Sequence, residues 1–258
     1  MIMTPSALLG KIALVTGGSG TIGQAIARRL AMNGARVIIT GRNLEKLNKA
    51  AERIRSNVES EAISQEPLID CVSCDVTKET SVVELFSTIQ DITKKSSIDL
   101  LVNNAGTAVD GATVDLSGSD FDWVMKVNVT GCFLCAREAM KGMTKCGGGR
   151  IINIGSLSAL APRPHSAPYT TSKFALNGLS RSLALDGRDD NIAVGIIHPG
   201  NIKSSLLTEE TIASRQHEGF LEADEIAKCV LTMATLPPHA NVLEMTVAPT
   251  PQPLVGRG

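Results

Sequence analysis

Short apolar runs separated by longer amphipathic stretches recur from one end of this chain to the other, and that alternation constrains its fold more than any other feature. Lys11–Thr16, Arg36–Thr40, Leu68–Cys74, Ile98–Val102, Arg150–Ile154, Ile192–Ile197 and Val242–Val247 are rich in Val, Ile and Leu and read as strands. Between them Thr21–Met32, Asn43–Asn57, Lys78–Lys94, Ser119–Lys145, Ala167–Gly187 and Ala223–Thr235 carry helical spacing. Strands apolar on both sides and joined by helices predict an α/β chain: a doubly wound, seven-stranded parallel sheet with helices on both faces. No composition break or repeat divides the sequence, so one domain is expected over residues 1–258. Asn57–Pro67 reads as a polar loop and Pro249–Gly258 as an extended tail.

Composition excludes several classes of function. With 258 residues, 43% hydrophobic and 20% charged, the chain can bury a full core. A net charge of −1 gives no electrostatic reason to bind nucleic acid or an anionic membrane. No apolar run approaches the ~18 residues of a membrane span. The first strand-like run begins by Ile12, so no signal peptide and a cytoplasmic protein are expected. Cys71-x-x-Cys74 and Cys132-x-x-Cys135 imitate zinc-binding pairs. The first lies in a strand-like run, where positions three apart face opposite sides, and the second in a helical stretch without turn residues. Both are read as buried small hydrophobes, with no metal site.

Thr16-Gly17-Gly18-Ser19-Gly20-Thr21-Ile22-Gly23 ends the first strand and opens the first helix. Glycines there let backbone N–H groups approach a pyrophosphate, whose charge the helix N-terminus favours. After the second strand a carboxylate would bind the ribose of NAD; here Gly41-Arg42 offers space and a guanidinium, which favours the 2′-phosphate of NADP(H). Tyr169, the only tyrosine, precedes Lys173 by one helical turn, so both lie on one helix face. An ammonium held near a phenol stabilises the phenolate, and the pair can trade a proton nearer neutral pH. Ser156 follows the strand-like Ile151–Ile154. A hydroxyl, a phenol, a lysine and a nucleotide turn together point to hydride transfer at a carbonyl.

With those residues in place, the chain resembles the short-chain dehydrogenase/reductase family over nearly its whole length, through six motifs in family order. The resemblance implies a Rossmann-type fold, NADP(H) as cofactor, and a small carbonyl or alcohol as substrate. It implies that Gly17, Ser19, Thr21, Ile22 and Gly23 form the nucleotide turn, with Arg42 nearby and Asp75-Val76 at the adenine. Asn103, Ala105 and Gly106 match an Asn-Asn-Ala-Gly element that faces the cofactor, and Pro199, Gly200 and Ile202 match the segment over the nicotinamide. Asn128, Ser156, Tyr169 and Lys173 match the catalytic tetrad: Tyr169 as general acid/base, Ser156 on the substrate oxygen, Lys173 on the ribose, Asn128 holding a water beside Lys173. Thr21 stands where the family has its middle glycine, and the usual Asp-Gly-Gly after the last strand is replaced by Ala248-Pro249-Thr250.

The segment 204–222 is expected to cover the substrate with Leu206, Leu207, Ile212, Phe220 and Leu221, which suits a compact, weakly charged carbonyl compound. His165 is read as a wall or surface residue, His198 as a packed strand-end histidine and Trp123 as a helix-start packing residue. Self-association to a homodimer or homotetramer is expected through the long helix (Cys132, Cys135, Ala136, Ala139) and the Tyr169 helix (Ala175, Gly178, Ser182). A β-ketoacyl-thioester reductase and a non-catalytic NADP-sensing protein stand as alternatives.

Overall fold

The computed structural model describes residues 7–59, 68–204 and 207–254. Seven strands, β1 (Ile12–Thr16), β2 (Arg36–Gly41), β3 (Ile69–Ser73), β4 (Leu100–Asn103), β5 (Gly149–Ile154), β6 (Ile192–Pro199) and β7 (Glu244–Val247), form one sheet in the order β3-β2-β1-β4-β5-β6-β7. Every pairing is parallel. The helices are α1 (Thr21–Met32), α2 (Leu44–Glu59), α3 (Glu79–Thr93), α4 (Gly118–Met125), α5 (Gly131–Lys145), α6 (Ala167–Asp186), α7 (Glu209–Ser214) and α8 (Ala223–Ala234).

Strand burial explains why the apolar runs are continuous. Val15, Ile39, Val102 and Ile152 pack with Ile26, Leu30, Leu47 and Val230, from α1, α2 and α8. Their neighbours Leu14, Ile38, Leu101 and Ile151 pack on the opposite face with Leu85, Cys135, Met143 and Leu183, from α3, α5 and α6. Both sides of each central strand are therefore in a core, so both are apolar along most of its length. The chain leaves β1 toward β2 on one side and toward β4 on the other, so a crevice opens between the carboxyl ends of β1 and β4.

Three expectations change. The helical stretch 119–145 is not one α-helix: a π turn at Lys126–Thr130 separates α4 from α5, and Asn128 sits in it. Such turns widen a helix locally and recur at functional sites. Cys132, Cys135, Ala136 and Ala139 face this chain's own core, so the close packing attributed to them is against the sheet; on α6, Gly178 and Ser182 are exposed beside Phe174. The tail beyond β7 is not merely extended, since Gln252 is only 7% exposed and its Oε1 accepts from Asn201 N, just past β6. The loop at 60–67, Leu206 in the covering segment and the last four residues of the tail lie outside the described residues.

Candidate active site

A cleft of about 500 Å³ runs along the carboxyl ends of the strands, from the glycine turn at one end to Tyr169 at the other. At the first end α1 begins at Thr21 with no side-chain cap, which leaves its first N–H groups for a ligand. Gln24 Nε2 donates to Ser19 O at 2.7 Å and fixes the turn. Gly17 has φ of 64°, and a Cβ on it would lie 2.9 Å from Ala105 Cα; on Gly23 it would lie 2.3 Å from Gly17 O. Thr21 is exposed at the first helical position and lines the cleft, so its side chain is accommodated without displacing the turn. Gly17, Ser19 and Ile22 also line the cleft, with Gly23 buried behind them.

Beyond the turn, a Cβ on Gly41 would meet only ordinary van der Waals contacts, Leu47 Cδ2 at 3.7 Å and Ser19 Oγ at 3.9 Å, and Gly41 lines the cleft. Arg42 is exposed, lines the same space and lies over the Trp123 ring at 5.5 Å. Trp123 is thus a wall of the cleft as well as a packing residue of α4. Asp75 and Val76 line the wall between β3 and α3. Burial opposes ionisation of Asp75, but hydrogen bonds from the Thr77 hydroxyl (2.7 Å) and N–H (3.1 Å), with Lys78 and Arg42 nearby, hold its carboxyl below the usual range. A steric cradle that excludes side chains and an uncapped helix start together fit the pyrophosphate of a dinucleotide, with the exposed Arg42 guanidinium beside the adjoining part of the cleft.

The Asn-Asn-Ala-Gly element divides its tasks. Thr16 Oγ1 accepts from Asn104 N at 3.0 Å and Ala105 N at 2.9 Å, while Asn104 Nδ2 donates to Thr16 O and Gly17 O at 3.0 and 3.2 Å. Asn104, Ala105 and Gly106 line the cleft. Asn103 does not: it is 1% exposed and donates inward to Asn153 Oδ1 (2.9 Å) and Cys132 O (3.3 Å). The side chain alternates to the other side of the strand, so the polar reach toward the turn belongs to Asn104.

At the far end α6 carries Tyr169, half-buried, and Lys173, 6% exposed, both on the cleft wall. Lys173 Nζ lies 5.5 Å from the Tyr169 ring centroid and donates to Ile154 O at 2.9 Å. The Tyr169 hydroxyl makes no hydrogen bond among the described residues and is free to meet a ligand. Ser156 lies across from it after β5; its Oγ accepts from Ser158 N at 3.1 Å, leaving its O–H to donate. Asn128 is fully buried behind the wall. It accepts from Thr107 N (2.8 Å), donates to Thr107 O (2.9 Å) and donates to Ser172 Oγ (2.9 Å), which in turn donates to Tyr169 O (2.7 Å). A Cβ on Gly106 would lie 3.5 Å from Asn128 Oδ1 and 3.9 Å from Lys173 Nζ, so Gly106 keeps a small space open between them.

His198 is fully buried and contacts Ser156 twice through Nδ1, at 3.3 Å from Ser156 N and 3.0 Å from Ser156 O. Burial holds its pKa below the usual value, so it positions Ser156 as a neutral ring. His165 is exposed and absent from the wall; its carbonyl accepts from Gly111 N at 2.8 Å.

Pro199, Gly200 and Ile202 line the cleft under a buried polar network that sequence reasoning missed. Glu218, 4% exposed, pairs with Arg163 and accepts from Asn201 Nδ2 (2.8 Å) and Gln252 Nε2 (3.1 Å). Gln252 Oε1 accepts from Asn201 N at 2.9 Å. A Cβ on Gly200 would lie 2.1 Å from that Oε1, so glycine is required there. Burial disfavours ionised Glu218, but the bonds from Arg163 and Asn201, the Arg163 charge and Gln252 outweigh it and hold its pKa at about 2. No single residue type signals this network, because its members lie in four separated segments.

Among the described residues no group of three or more His, Cys, Asp or Glu converges as a metal site, and no helix is long and apolar enough to cross a membrane. A 3-oxoacyl-(acyl-carrier-protein) reductase of Rickettsia prowazekii is 34% identical over 215 residues, 83% of this chain and 81% of that protein. A metagenomic short-chain oxidoreductase solved with NADP superposes with a TM-score of 0.78 at 30% identity, over 95% of this chain and 99% of that one. A 3-ketoacyl-(acyl-carrier-protein) reductase from Brucella melitensis, solved with NADH, gives 0.83 at 25% identity over 95% of this chain and 99% of that one. Residues 11–215 match the short chain dehydrogenase family, and this chain is an oxidoreductase belonging to that family.

Proposed function

We propose that this protein reversibly reduces a small or medium ketone or aldehyde to the alcohol, using NADPH in preference to NADH, with Tyr169 as general acid and base. The observation that carries the reading is the convergence of Ser156, Tyr169 and Lys173 on the cleft whose other end is the glycine cradle and Arg42. A nicotinamide bound in that cleft supplies or accepts the hydride. Tyr169 gives its proton to the carbonyl oxygen, a contribution of about 10²–10⁴ in rate for a well-placed acid. Ser156 donates to the same oxygen as charge grows on it, and His198 and the Ser158 N–H fix the serine for that role. Lys173, held by Ile154 O, keeps a positive charge beside the phenol. Asn128 clamps Thr107 and, through Ser172, the backbone of Tyr169.

Preference for NADPH rests on Arg42 and on Gly41, which leaves no side chain between the cleft and that guanidinium. The similar proteins do not decide it, since one was solved with NADP and another with NADH. A β-ketoacyl thioester is the second reading, favoured by the Rickettsia relative. Of the three arginines that could meet an acidic carrier protein, Arg163 is engaged by buried Glu218 and Arg181 pairs with Glu244 at the surface, which leaves exposed Arg188. Assembly into a homodimer or homotetramer belongs to the same proposal, resting on exposed Phe133 and Phe174 of neighbouring helices, and light scattering tests it. The decisive assay follows NADPH and NADH oxidation with a panel of alkyl, aryl and diketone substrates. Turnover with NADPH well above NADH supports the reading; tight NADPH binding without turnover of any carbonyl compound or thioester would reduce the protein to a sensor.

A further inference from the structure

The substrate end of the cleft carries two arginines in different states. Arg163 is spent on buried Glu218. Arg215, which closes α7 and lines the same wall as Tyr169 and Ser166, makes no side-chain hydrogen bond or ion pair among the described residues, although it is half-buried. Arg163 and Tyr169 lie within electrostatic range, as do Asp110, at the exposed rim, and Glu218, already engaged by Arg163. Lys173 is committed to Ile154 O deeper in the cleft. After the Arg163–Glu218 pair cancels, one guanidinium remains on the wall without a bonded carboxylate. A cation partly removed from water and left unpaired is costly, and the fold offers no packing reason for it at the end of a six-residue helix.

We infer that Arg215 is the specificity residue for an anionic substrate: a carbonyl compound bearing a carboxylate, which the Arg215 guanidinium grips while Tyr169 and Ser156 face the carbonyl. The inference deepens the proposed reduction and rests on it. A planar guanidinium matches a carboxylate through two parallel N–H donors. The carboxylate belongs to the substrate itself, because Arg215 and Tyr169 share one wall of one cleft, whereas a carrier's phosphate would sit at the end of a long arm outside it. Of the described apolar residues expected to cover the substrate, Leu207 lines the cleft and Ile212, Phe220 and Leu221 do not, so Arg215 stands beside a leucine at the substrate end and adds a charge to a surface expected to be apolar.

The test uses pyruvate, benzoylformate and levulinate, each against its methyl ester, binding to the NADP complex by calorimetry and turning over with NADPH. At least one acid is expected to bind and react about tenfold to a hundredfold better than its ester, the range of a charge-assisted hydrogen bond. Arg215→Gln should bring the acid-to-ester ratio of affinity and of kcat/KM close to one, and Arg215→Lys should restore part of it. No acid preferred over its ester, or a preference that survives Arg215→Gln, overturns the assignment. So does a phosphopantetheine thioester of 3-oxobutanoate bound more tightly than its phosphate-free pantetheine thioester, if no acid is preferred. Esters reduced as well as acids would leave the reductase standing and remove only the anion site. Acids bound through Arg215 without any turnover would keep the site and remove the reductase.

Discussion

The two ends of the cleft are built on opposite principles. The nucleotide end is backbone: a glycine turn, a helix start and strand termini whose positions follow from the sheet. The substrate end is side chain: Arg163, Asn201, Glu218 and Gln252 come from four stretches of sequence and are joined only by a buried network. The first kind of site tolerates almost no added volume; the second depends on every charge having its partner.

Removing a partner at the substrate end should have the largest effect. Glu218→Gln leaves Arg163 buried beside a neutral amide, and loss of one member of a buried pair costs about 3–5 kcal/mol. A lower thermal midpoint and a raised KM for the carbonyl substrate are expected, with NADPH affinity unchanged; equal loss of NADPH affinity would erase the distinction between the two ends. At the nucleotide end, Gly23→Ala places a methyl 2.3 Å from Gly17 O, where backbone must move. Overpacking of that order costs about 1–3 kcal/mol, and NADPH affinity should fall with it, read by quenching of Trp123 fluorescence.

Acid should act through the substrate end. Glu218 ionises at about 2 in the fold against an ordinary 4.5, so the folded protein holds fewer protons across that window. Its contribution is complete above pH 4.5 and is lost as pH falls toward 2, about 3 kcal/mol in all. His198, held neutral by burial, adds a loss of the same sign as pH drops below its ordinary 6.5. Chemical unfolding at stepped pH should show a steeper acid loss in the native protein than in Glu218→Gln. The smallest effect separates cofactors: Arg42→Leu should lower kcat/KM with NADPH about tenfold to a hundredfold and leave NADH nearly unchanged.

That difference in construction also sets what the sequence discloses. Leu14 and Val15, or Leu101 and Val102, are adjacent and both apolar because both sheet faces are covered, and such runs can be read directly. Tyr169 and Lys173 are a helical turn apart, so their shared face follows from spacing. Asn103 and Asn104 could not be told apart as letters; the strand's alternation sends one inward and the other to the turn. The π turn holding Asn128 leaves no residue signature in Lys126–Thr130. Gln252 looked like part of a proline-rich tail because its partners, Asn201 and Glu218, are 51 and 34 positions away. Trp123 and Arg215 gained their meaning only when the cleft brought Arg42 and Tyr169 beside them.

One substitution addresses the central claim, that the Tyr169 hydroxyl delivers the proton at this cleft. Tyr169→Phe removes one oxygen and keeps the ring. Carbonyl-dependent NADPH oxidation should fall by at least about 10²–10⁴, while NADPH titrated against Trp123 fluorescence binds as it does to the native protein. A Tyr169→Phe enzyme that reduces ketones at close to the native rate would contradict the account.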